Sequence, residues 1–290
     1  MLIKKLSLIS VLAVSMLSAN VNACDIDGKS GFMPENDLHV GVNDKMRSDM
    51  TEERFNEIID LVDSHYSSIV KDMGGKLKWA RNWSDGTVNA SANRGWFGTW
   101  KVNMYGGLAR HTLVTDDAFA LVVCHELGHH LGGAPKVGGM MAWASNEGQS
   151  DYFGTLKCFR RIFETDDNVQ IISSMTVPAI VKTKCSESYT NANDAALCVR
   201  SAMAGKSLAA LLASLGSSSE PQFETPDTSV VSTTDSRHPA AQCRLDTYLE
   251  GSLCDKRLSD EVSNSDATQG TCNRSLGYTT GVRPLCWFKP

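Results

Sequence analysis

Five residues, His125-Glu126-Leu127-Gly128-His129, limit what this chain can fold into more than any other feature of its sequence. The surrounding segment, Thr115 to Leu131, reads as a mostly apolar helix, opened by Thr115 with Asp116 and Asp117 in its first turn and closed by Gly132-Gly133. Residues four apart on a helix share a face, so the two imidazoles project side by side from an apolar cylinder. Burying two histidines and a glutamate there is costly unless something satisfies them. So short a pattern also occurs in solvated polar turns, but the apolar flanks do not suit that reading.

A divalent metal would satisfy them. Two histidines at this spacing can reach one zinc ion, and the glutamate between them can act on the metal's water. A catalytic zinc needs a third protein ligand and keeps one position for water. A third histidine six residues after His129 is ruled out because Pro135 stands there. With it goes the metzincin reading, although Gly132 fits that pattern and Met140-Met141 imitates its methionine turn. A glutamate on a second helix remains. Ser145 to Phe153 supplies it, with Ser145 as the expected N-cap and Glu147 and Asp151 four apart on one face. Glu147 can then bind the metal while Asp151 accepts the outward N–H of a ligand histidine and fixes its tautomer. The competing reading is an acidic first turn favoured by the helix dipole. Zinc on His125, His129 and Glu147 would acidify its water and polarise a scissile carbonyl, with Glu126 as general base.

With HExxH followed by ExxxD in place, the chain resembles the M48 zinc metallopeptidases, which are gluzincins. The resemblance runs from about Thr87 to Asp151 and resumes near His238. It includes Val88-Asn89-Ala90 and the stretch Trp100 to Leu108, which is similar to the family's asparagine-alanine segment and the strand leading to a Gly-Leu turn. It implies an α+β fold: a mainly helical zincin-like metalloprotease domain with a small β-sheet edge, here joined to a disulfide-rich C-terminal extension. It implies that the Trp100 strand is the sheet's edge and that protein or peptide substrates add to it in extended form. An exposed edge offers unpaired backbone groups to any peptide. It also implies that His238, in Arg237-His238-Pro239, and Arg244 face the zinc and stabilise the tetrahedral intermediate's oxyanion. By resemblance alone, misfolded envelope proteins are the substrates.

The first 23 residues carry Lys4 and Lys5, an apolar run from Leu6 to about Ala19 and the small-residue site Val21-Asn22-Ala23, which read as a secretory signal peptide. No other segment approaches the roughly 20 apolar residues of a membrane span, so no transmembrane helix is expected after cleavage. All nine cysteines follow that site, and an exported chain forms disulfides. Neighbouring pairs suggest Cys185 with Cys198, Cys243 with Cys254 and Cys272 with Cys286. Cys124 with Cys158 would then tie the two metal-bearing helices. Cys24 is left over, as a lipid anchor or as a disulfide partner. No CxxC pair exists to make a cysteine zinc site. Without Lys4 and Lys5 the basic count falls from 28 to 26 against 33 acids, a balance of −7. That balance invites no nucleic acid.

Residues 24–239 are expected to form the peptidase domain, with 216–236, rich in Ser, Thr, Pro and Asp, as a linker or mobile loop, and 240–290 as the cysteine-rich extension. Apolar spacing predicts helices over Thr51–Met73, Asp151–Phe163, Ala192–Met203 and Ser207–Leu215. Leu77 to Leu108 suits strands, with Gly95-Trp96-Phe97-Gly98 as a hairpin connection. Trp79, Trp83, Trp96 and Trp100 fit core and strand pairing better than a sugar platform. Two other functions stay open. One is a latent zinc-binding chaperone or interaction module, which would have no use for Glu126. The other is an enzyme inhibited by its own N-terminal segment, with Cys24 or Asp25 capping the metal.

Overall fold

The computed structural model describes residues 31–139, 142–216 and 219–290. The signal peptide, Cys24, Asp25 and Met140-Met141 lie outside them. Helix α1 (Glu52–Asp72) is capped by Thr51, whose side chain accepts from the Arg54 amide, and buries Phe55, Ile58, Ile59, Val62, Tyr66 and Val70. It covers a three-stranded sheet made of β1 (Lys76–Asn82), β2 (Ala90–Arg94) and β3 (Thr99–Tyr105). The order is β1-β3-β2, with β3 parallel to β1 and antiparallel to β2. The Trp100 strand is therefore central, not the edge that the M48 resemblance implies. A parallel neighbour, β1, takes its second side, and β2 is the edge strand that meets the helix carrying the histidines.

After the short α2 (Gly106–Arg110), helix α3 (Asp116–Leu131) runs through the core. Thr115 caps it as expected, and every residue from Ala118 to Leu131 is buried. Helix α4 (Glu147–Phe153) continues through a π-helical stretch, Gly154–Phe159, into α5 (Arg160–Phe163). A Cβ on Gly128 would lie 3.1 Å from the Ser150 backbone, so the glycine between the two histidines lets α4 approach α3 closely. The Cys124–Cys158 disulfide fastens α3 to the π-helical continuation of α4, the pairing that the sequence suggests. Closing a loop of that length contributes on the order of 3–4 kcal/mol.

Helices α6 (Asn168–Ser173), α7 (Ala179–Ser188), α8 (Ala192–Ala213) and α9 (Ala241–Leu253) complete the helical layer. The two helices expected over 192–215 are one. Gly205, which falls in the gap expected between them, sits under the Tyr248 ring and permits close packing of α9. As one piece α8 is long and apolar enough to cross a membrane, but 72% of its apolar window is buried. Cys185–Cys198 forms as expected, whereas the tail pairs Cys243–Cys286 and Cys254–Cys272. The expected Cys243–Cys254 bridge is geometrically closed off. Those residues stand at opposite ends of α9, about 16 Å apart at 1.5 Å per residue, beyond disulfide reach.

The tail braces the fold. Trp287 lies against Gly148 and donates its indole N–H to Thr247 Oγ1, while Arg283 Nε donates to Gln149 Oε1 at 2.6 Å. Residues 219–239 lack helix and strand, as their composition predicts. They are nonetheless pinned, because the Val231 and Asp235 amides donate to the Leu285 and Trp287 carbonyls and Phe223 is buried.

Candidate metal centre

Each of the three expected ligands comes from a different turn of helix, and the helices bring them together. His125 and His129 stand one turn apart on α3, their rings edge to face with centroids 4.8 Å apart. Glu147 enters from the first turn of α4, which Asn146 caps by accepting from the Gln149 amide. Ser145 was the expected cap. It instead forms a short antiparallel bridge with Lys136, which turns its carbonyl toward His129.

Glu147 Oε2 lies 3.4 Å from His125 Nε2, and Oε1 lies 3.6 Å from His129 Nε2. A tetrahedral zinc with bonds of 2.0–2.1 Å separates its ligand atoms by about 3.4 Å. His125 Nε2 and both Glu147 oxygens are fully buried and make no hydrogen bond. Unsatisfied buried polar atoms are uncommon in folded proteins, and here three of them converge. The donor set, two imidazoles and a carboxylate, is that of a catalytic zinc, so these residues fit the metal. Glu126 is part of the same cluster: one ligand atom each from His125, Glu126 and His129 lies within 4.8 Å of the others.

Behind the ligands a second layer fixes their tautomers. His125 Nδ1 donates to Asp151 Oδ1 at 2.7 Å, and His129 Nδ1 donates to the Ser145 carbonyl at 2.8 Å. Ser150 Oγ stands 3.1 Å from the same His129 nitrogen. With Nδ1 protonated, each Nε2 keeps a lone pair for the metal side. Asp151 is held in turn by Arg244, whose Nε and Nη2 donate to its two oxygens at 2.7 Å each. This corrects the position expected of Arg244, which spends its guanidinium on Asp151 and the Phe32 carbonyl and stands one layer behind the imidazoles. A buried carboxylate needs such a counter-charge, and Arg244 supplies it.

His238 does reach the site. Its Nε2 stands 3.6 Å from Glu147 Oε2 and 2.8 Å from the Gly31 carbonyl, to which it can donate. Gly31 belongs to an N-terminal stretch that wraps the site. The Phe32 amide donates to the Ala90 carbonyl on β2, and Met33 exchanges hydrogen bonds with the Asn89 side chain. The Phe32 ring meets His125 edge-on at 5.1 Å. His125, Glu126 and His129 are 0% exposed and Glu147 is 2%, so the centre is closed to bulk water.

Burial governs the electrostatics. Alone it would lower the His125 pKa, but the Asp151 and Glu147 carboxylates raise it to about 9. Burial lowers His129 to about 4, with His125 adding repulsion that Glu147 only partly offsets. Burial lifts Glu126 to about 8, eased by the His125 charge and increased by Glu147. Burial also pushes the Glu147 pKa upward, but His238, His125 and His129 bring it below the usual carboxylate range. Ligands and carboxylates thus hold a positive charge among them, which a proton or a metal ion can supply.

Sequence reasoning missed several contributors. Ser145 and Ser150 act on His129 through a carbonyl and a hydroxyl, for which no motif exists. Phe32 and Gly31 reach the site from about 90 residues upstream of His125. His130, next to a ligand, is clamped between the Trp100 and Trp143 rings at 5.3 and 5.0 Å. The tryptophan count hinted at such packing without locating it. Of the four tryptophans weighed as a sugar platform, Trp100 is buried and Trp79 and Trp83 half-buried, while Trp96 is exposed. No family model matches the chain, and neither does any curated protein or solved structure.

Proposed function

We propose that the protein is a zinc-dependent endopeptidase, with His125, His129 and Glu147 as ligands and Glu126 as general base. The observation that carries this reading is the approach of Glu147 to His125 Nε2 and His129 Nε2 at 3.4 and 3.6 Å, near tetrahedral-edge spacing, with His125 Nε2 and both Glu147 oxygens buried without hydrogen bonds beside the buried Glu126 carboxyl. Zinc held there would act as a Lewis acid on a scissile carbonyl and acidify a water. Glu126 takes a proton from that water as its oxygen bonds to the carbonyl carbon, then delivers the proton to the leaving nitrogen as the C–N bond breaks. His238 donates to the developing oxyanion, and Asp151, Ser145 and Arg244 hold the imidazoles in register. An extended peptide substrate would lie along β2, the edge strand beside α3. The M48-like motifs agree with this reading. The disulfides and the N-terminal sequence together support export to an oxidising compartment.

The test is casein cleavage by the wild type beside Glu126→Gln, with zinc measured in both. Equal zinc with cleavage in the wild type alone supports the mechanism. Equal cleavage by both removes Glu126 as base.

A second reading, a latent form of the same enzyme, has one observation in its favour: the chain's own Gly31 carbonyl occupies His238 while Phe32 bonds the edge strand. If the N-terminal stretch holds the site shut, proteolytic nicking between Met33 and Leu38 should release Gly31 and Phe32 and raise casein cleavage several-fold. No gain after complete nicking would rule this reading out.

A further inference from the structure

The hairpin joining β2 and β3 displays its aromatic residues instead of burying them. Phe97 is 90% exposed and Trp96 64%. Phe97 also adopts the left-handed conformation (φ 58°), which a bulky side chain takes only at a cost. Evolution commonly places glycine or asparagine at such a position, so the strained phenylalanine asks for a reason outside the fold. The turn after α1 lies against the same tip, where a Cβ on Gly98 would stand 3.2 Å from the Gly74 carbonyl, and it adds Met73, 49% exposed.

The adjoining sheet face is basic. Lys76 pairs with Thr99 and Lys78 with Lys101, so the three lysines share one face, opposite the buried Trp100 and Val102. Arg81 and Arg94 lie on the opposite face, where Asp60 pairs with Arg81 and Arg94 stacks on Trp100, so Lys76, Lys78 and Lys101 carry the charge of this one, and strands β1, β2 and β3 hold no acidic residue. Lys71 and Asp72, on the last turn of α1, offset each other.

We propose that the Trp96-Phe97 tip and its lysine face dock the protein on an anionic lipid bilayer, with the aromatic rings at headgroup depth and the lysines over the acidic headgroups. Tryptophan and phenylalanine suit that interface, and each lysine near an anionic surface adds about fivefold in affinity. A soluble polyanion would attract the lysines but give no use to an exposed phenylalanine. This inference does not depend on the metal centre.

Co-sedimentation of the full chain with phosphatidylcholine vesicles, with and without phosphatidylglycerol, tests it. Binding to the anionic vesicles should be about 100-fold tighter. The Trp96→Ser/Phe97→Ser variant should lose at least tenfold on anionic vesicles. The Lys76→Glu/Lys78→Glu/Lys101→Glu variant should lose the preference for phosphatidylglycerol, both variants melting like the wild type. Equal binding to the two vesicle types overturns the proposal. So does binding that neither variant weakens, or a tip that changes oligomeric state instead of lipid binding.

Discussion

Two buried charge networks sit at opposite ends of helix α3, and they are built on different plans. At the N-terminal end Arg200 of α8 donates through Nε and Nη2 to the two oxygens of Asp117, and through Nη1 to Asp166 and Asn168. Its guanidinium also stacks 3.8 Å over Phe163. That network is closed, since all three guanidinium nitrogens have acceptors. At the C-terminal end Arg244 and Asp151 are closed in the same way, but the layer they support is not, because His125 Nε2 and both oxygens of Glu147 face one another without hydrogen bonds. Polarity completed within the chain stabilises a fold, whereas buried polarity left open carries a cost that only a ligand offsets. The contrast places the candidate chemistry at one end of α3 and structure at the other.

The contrast is sharpened first by Glu126→Gln, which should lower peptide hydrolysis by about 10³-fold while the melting temperature and zinc content hold; a melting temperature that falls with activity would move Glu126 to the structural side. Next, Arg244→Met leaves the fully buried Asp151 without its cation. It should cost about 3–5 kcal/mol of stability and weaken zinc binding about 10–100-fold, read by denaturant melts and zinc titration. Arg200→Met is the control at the other end. It should cost about 2 kcal/mol, less because Asp166 is 40% exposed, with zinc affinity unchanged. Loss of zinc affinity in Arg200→Met would break the comparison.

The smallest effect concerns pH. Burial raises the Asp246 carboxyl to about 6 although it accepts from the Asp227 amide and Gln242, so its folded form holds a proton more tightly than the unfolded chain does. Its stabilising contribution is present below about pH 4 and lost as pH rises through about 6. Burial would raise Asp151 too, but Arg244 and His125 hold it below the usual carboxylate range, so its contribution is lost as pH falls instead. Asp246→Asn should flatten the decline in stability between about pH 4 and 6 and leave the acid limb unchanged.

The sequence was informative wherever a constraint was periodic. Four-residue spacing placed His125 with His129 and Glu147 with Asp151, and the apolar flank of α3 announced a buried helix whose polar residues needed partners. Cap chemistry located Thr115 and missed Asn146 by one residue, because a Ser-Asn pair offers two caps and only the Lys136–Ser145 bridge decides between them. Strand order, the tail's disulfide pairing and the layer of Arg244 depend on which segments meet in space. No local pattern encodes that. The gap expected between Met203 and Ser207 fails for a related reason, since Gly205 within it serves the packing of α9 and not a helix end.

Metal content of the purified chain decides whether the open end of α3 is a metal centre. One zinc per chain is expected in the wild type, Glu126→Gln and Arg200→Met, and none in His129→Ala or Glu147→Ala variants that still fold. A wild type that takes up no zinc when supplied with it, or a Glu147→Ala variant that binds it as tightly as the wild type, would contradict the account.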